Sequence, residues 1–136
     1  MRVVVDTNVF VSAALKDKSS PALALRIVSQ RHVLLKSAAT ERQLLDVLAR
    51  PKLAPLIAPA AFDWLRELLA AAQPVFITER IAACRDHTDD KFLELAVNGH
   101  ADLIVSGDAD LLVLNPFRSI PIVAPAAFVQ GAARQE

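Results

Sequence analysis

The chain has 136 residues, 54% of them hydrophobic and 22% charged, and its 15 basic and 15 acidic side chains cancel. That balance excludes a disordered chain and leaves room for one domain, 1–136, with a real core. Cys84 stands alone, which excludes an internal disulfide framework and a cysteine-rich zinc site and points to a reducing cytoplasm.

From the amino end, Val3, Val4 and Val5 read as a first strand, apolar throughout as a strand buried on both faces should be. Asp6 and Asn8 break the run, so it is not the core of a signal peptide. No later run reaches the roughly 18 apolar residues of a membrane span. Pro21 falls in the first turn of a helix that continues to about Gln30, with Ser19 or Ser20 as its cap. Val33, Leu34 and Leu35 form a second strand. Leu44, Leu45 and Leu48 give helical spacing over 40–49, ended by Pro51. A further helix covers about 60–72 and stops ahead of Pro74, and Val75, Phe76 and Ile77 read as a third strand.

Asp89 or Asp90 then caps a helix to about Val97, closed by Gly99. Leu103, Ile104 and Val105 make a fourth strand. Residues 120–123 make a fifth, which Pro121 assigns to a sheet edge. Residues 131–136 are expected to fray. Strands alternating with helices in this way define an α/β fold.

The chemistry lies at the ends of the apolar runs. Asp6 ends the first, Asp108 and Asp110 follow the fourth, and Asp89 and Asp90 open a helix. Carboxylates beside buried strands are costly unless a cation or hydrogen bonds compensate them. A parallel sheet carries strand-end acids to one edge, where hard cations find the oxygen ligands they prefer. The competing explanations are local: Asp89 and Asp90 as helix caps, and Asp108 and Asp110 as turn residues. Only three glycines occur, at 99, 107 and 131, so neither a dinucleotide-binding nor a P-loop motif can be written.

Four fragments in order carry a family likeness. They are V-V-x-D-T-N-V from Val3, S-x-x-T-x-x-x-L-x-x-V-L-x-R-P-K from Ser37 to Lys52, D-D-K-F-L-E-L-A from Asp89, and A-D-L-I-V-S-G-D-x-D-L-L from Ala101. The chain resembles the PIN-domain family of metal-dependent ribonucleases, especially the VapC-like branch of toxins in bacterial toxin–antitoxin pairs. That resemblance implies a three-layer α/β/α fold on a parallel sheet of about five strands, with the first and fourth strands adjacent. It implies RNA phosphodiester hydrolysis with Mg²⁺ or Mn²⁺, an antitoxin partner and a homodimer.

Asp6, Asp89 and Asp108 are the expected catalytic residues, and they are expected to bind metal together with Asp90 and Asp110. Asn8 and Ser106 are expected to orient these carboxylates. Arg50 and Lys52 are candidates for contact with the RNA backbone, though a basic pair after a helix also suits its dipole. Gln43 departs from the pattern, because the family generally has a glutamate there. Asp46, about 60° round the same helix face, is the geometric substitute, whereas Glu41 is turned away by about 200°. The alternative is a catalytically weakened PIN-like domain that binds RNA or protein. A phosphatase with Asp6 as nucleophile fits less well, because Asn8 stands where its general acid belongs.

Overall fold

The computed structural model describes residues 1–134. Its five strands are β1 (Arg2–Val5), β2 (Val33–Lys36), β3 (Gln73–Pro74), β4 (Leu103–Val105) and β5 (Ile122–Val123). They form one parallel sheet in the order β3-β2-β1-β4-β5, so β1 and β4 are neighbours, with Val3, Val4 and Val5 opposite Leu103, Ile104 and Val105. The helices are α1 (Thr7–Leu15), α2 (Ser20–Arg31), α3 (Ala38–Leu48), α4 (Pro59–Ala71), α5 (Asp90–Asn98), α6 (Ala109–Leu112) and α7 (Pro125–Arg134).

Alternating strand residues serve two cores, as the period of two along a strand requires. Val3, Val5, Leu34, Leu103 and Val105 pack with Leu25, Leu44, Leu65 and Phe128 from α2, α3, α4 and α7. Val4, Leu35, Ile104 and Ile122 pack on the other face with Phe92, Leu93 and Leu95 of α5 and Leu111 of α6. Helices therefore cover both faces, the only way an all-parallel sheet escapes water. All five strands end at one edge, and the residues that follow β1 and β4 meet there.

Several elements differ from expectation. The run after Asp6 is helix α1, although its β-branched residues and Phe10 give it little helical propensity. Burial of Val9, Phe10, Ala13 and Ala14 outweighs that preference. The third strand is displaced: Gln73 and Pro74 pair with Leu35 and Lys36. Val75 N–H still donates to Lys36 C=O at 2.8 Å, but Phe76 is 93% exposed. Gly99 closes α5 for a steric reason. A Cβ there would lie 2.8 Å from the Leu95 carbonyl oxygen, and His100 takes the left-handed turn with φ of 52°. At the carboxyl end α7 runs on through Arg134 with Ala132 buried. Gln135 and Glu136 lie outside the described residues.

Candidate metal centre

Asp6 follows β1 directly and is 2% exposed. Its Oδ1 accepts from Val9 N–H at 3.1 Å and caps α1, while the Ser106 hydroxyl donates to Oδ2. Ser106, fully buried after β4, also accepts from Asp108 N–H at 3.0 Å through the same oxygen. A single hydroxyl therefore ties the two strand ends together. Burial pushes the Asp6 carboxyl above its ordinary value against these hydrogen bonds, and the Asp108 charge adds to the rise.

Asp89, Asp108 and Asp110 converge in front of this pair. Each offers a carboxylate oxygen, and the three atoms lie within 4.8 Å of one another. Asp108 caps α6 by accepting from Asp110 N–H at 2.9 Å. Asp89, just ahead of α5, has its carboxyl pushed up to about 6, first by desolvation and then by Asp108. A group of half-buried carboxylates that repel one another this strongly is a donor set suited to a hard divalent cation.

The remaining candidates fall in different places. Asp90 is buried and turned away from the group: its Oδ1 accepts from Ala83 and Cys84 N–H at 3.0 and 2.8 Å, and its Oδ2 lies 2.9 Å from His87 Nδ1. Burial alone would raise its carboxyl, but these partners outweigh it and hold the group at about 2. Asp110 sits in the group but is also gripped by Arg85, with Nε–Oδ1 3.1 Å and Nη2–Oδ2 2.7 Å, which lowers its pKa. Asn8 is exposed in the first turn of α1.

Gln43 on α3 reaches the same edge, where its Oε1 accepts from the Thr7 hydroxyl at 2.7 Å, one residue from Asp6. Asp46 is exposed further along α3, and Glu41 is paired with Lys36 at 2.9 Å. Neither belongs to the acidic group. Arg50 and Lys52 lie beyond the far end of α3, a helix about 16 Å long that starts at the site's edge, so they are not gathered with the acids. The cation on the group is instead Arg85. Thr7 falls inside the first family fragment with no role assigned to it, and Arg85 had no local signal, because their partners lie 36 and 25 residues away.

The chain has counterparts among known proteins. A PIN-domain profile matches residues 2–110, from β1 through the acids that follow β4. An uncharacterised protein of Methanocaldococcus jannaschii is 27% identical over 119 residues, which cover 84% of this chain and 75% of that protein. Among solved structures, a chain of VapBC2 from Rickettsia felis, bound to a DNA fragment from their promoter, is similar with a TM-score of 0.56 at 15% identity. The match covers 91% of this chain and 97% of that one, and the likeness is one of fold. Because the profile takes in Asp6, Asp89, Asp108 and Asp110 as well as β1 to β4, the chain belongs to the PIN-domain family.

Proposed function

We propose that this protein is a divalent-metal-dependent endoribonuclease, the toxin of a toxin–antitoxin pair. The observation that carries the reading is the convergence of Asp89, Asp108 and Asp110 within 4.8 Å at the sheet edge, with buried Asp6 tied to Asp108 through Ser106. Asp89 and Asp108 are the direct Mg²⁺ or Mn²⁺ ligands, and Asp6 holds the strand ends in place and adds charge behind them. When bound, the cation supplies activation of water and charge neutralisation at the phosphate. A homodimer in the cytoplasm, restrained by an antitoxin protein, completes the reading.

The test is incubation of structured and single-stranded RNAs with the protein in Mn²⁺, in Mg²⁺ and in chelator, beside Asp108→Asn. Cleavage should need the metal and fall more than about 100-fold in the variant. Cleavage that persists in chelator would end this reading.

A second reading, a weakened domain that binds RNA without cutting it, is favoured by Gln43 alone. Its neutral amide is engaged with Thr7, in the place where the family generally has a glutamate. Mn²⁺ and RNA binding with no turnover would select it, and Gln43→Glu should then restore cleavage.

A further inference from the structure

Arg85 lies in the segment between β3 and α5, and its two-pronged grip on Asp110 uses Nε–H and one Nη2–H. Exposed arginine–carboxylate pairs usually contribute little, because two long side chains must be ordered to form them. Here the backbone is already fixed on both sides. Cys84 N–H is bound to Asp90, the His87 ring is bound to the same carboxylate, and Asp86 accepts from Thr88 N–H at 3.0 Å. The arginine is therefore presented to Asp110 by a tethered loop. Its side chain is 81% exposed against 25% for Asp110, so the three N–H bonds left over face outward from the rim.

We propose that Arg85 takes the place of a second metal ion: it neutralises Asp110, limits the acidic group to one divalent cation, and offers its outward N–H bonds to a phosphate oxygen of the RNA. This rests on the nuclease reading above. Two-metal sites need carboxylates free to bridge ions about 4 Å apart. Both Asp110 oxygens accept from the guanidinium, whose positive charge opposes a second cation at that carboxylate, with Asp89 and Asp108 beside it and Asp6 behind. A guanidinium is suited to the remaining task, because its planar fork matches a carboxylate on one side and a phosphate on another. Lysine would keep the charge and lose the fork. Arg85 is thus a positioning residue toward the metal and a binding residue toward the substrate.

The test is a Mn²⁺ titration followed by the electron paramagnetic resonance of the free ion, on the wild type, Arg85→Ala and Arg85→Lys. Each is paired with fluorescence anisotropy of a labelled single-stranded oligoribonucleotide in chelator, where no metal-dependent cleavage occurs. The wild type should bind one Mn²⁺ per chain, Arg85→Ala two, and Arg85→Lys one. RNA affinity should fall about tenfold in Arg85→Ala and recover in part with lysine. Two ions on the wild type, or one on Arg85→Ala, would overturn the proposal while leaving the nuclease reading intact. No Mn²⁺ on the wild type would overturn both. Circular dichroism of each variant separates a lost site from a lost fold.

Discussion

Asp89 is the residue at which protons and metal compete. Its carboxyl is pushed up to about 6 because it is partly desolvated and faces Asp108. Below that pH one proton stays on the pair, and a cation must displace it. Mn²⁺ affinity should therefore weaken about tenfold for each pH unit below 6 and level off above it, as calorimetric titrations at pH 5, 6 and 7.5 would show. A flat profile would remove Asp89 from the ligand set. The same shift has a sign for stability. The folded pKa lies above the ordinary 3.8, so the contribution of Asp89 to the stability of the metal-free protein is fully present below 3.8 and is lost as pH rises through about 6. Asp89→Asn should accordingly melt higher than the metal-free wild type at pH 7.5 and gain nothing from Mn²⁺. Strand-end aspartates such as Asp6 and Asp108 are legible in sequence, because acids next to buried valines need a compensating partner. Asp89 and Asp90 are not separable there. Consecutive helical positions differ by about 100°, and that rotation sends one carboxylate to the acidic group and the other to the loop.

Among the elements, α5 has a role that its apolar spacing conceals. Asp90, Glu94 and Asn98 stand at successive i+4 positions and fasten the preceding segment. Asn98 Oδ1 accepts from Thr78 and Glu79 N–H, Glu94 from Ile81 N–H, and Asp90 from Ala83 and Cys84 N–H. These bonds explain why residues 75–77, so strand-like in composition, leave the sheet: the chain beyond them is held to a helix and not to β2. Short-range patterns report propensity and cannot report such long-range partners. The position of α2 was legible because Ser19 and Pro21 mark its start, that of α3 from the spacing of Leu44, Leu45 and Leu48 ahead of Pro51, and that of α4 from its stop ahead of Pro74. Asp90→Ala should leave two loop amides without partners and cost about 2 kcal/mol. The Asp90 carboxyl sits at about 2, below the ordinary 3.8, so its contribution is present above 3.8 and lost as pH falls through about 2. Urea unfolding at pH 7 and pH 2.5 should show the gap between wild type and variant narrowing in acid. Hydrogen exchange at Ala83 and Cys84 should quicken in the variant, and unchanged exchange would show that these bonds do not hold the loop.

For the molecule as a whole, the question is how a site at one sheet edge depends on packing at the other. The family match ends at residue 110, yet the fold continues through β5 and α7. Phe128 of α7 is buried in the same core as Leu25 and Val28 of α2, and its ring meets His32 edge-on at 6.0 Å. His32 leads directly into β2, so this contact lies at the amino end of the strands, whereas Asp6, Ser106 and Asp108 follow their carboxyl ends. A parallel sheet separates the two ends by the length of its strands, and the residues between them, Val3 to Val5 and Leu103 to Val105, are rigidly packed. Damage at one end should therefore lower global stability without reshaping the other. Phe128→Ala should cost about 3 kcal/mol through lost burial and the cavity it leaves. In urea the midpoint should fall while Mn²⁺ affinity in the folded protein stays at its wild-type value. An unmoved midpoint would make α7 an appendage to a fold complete without it. A lowered Mn²⁺ affinity would instead show that the acidic edge is set by packing across the whole sheet, and the site would then extend to the far face of α2.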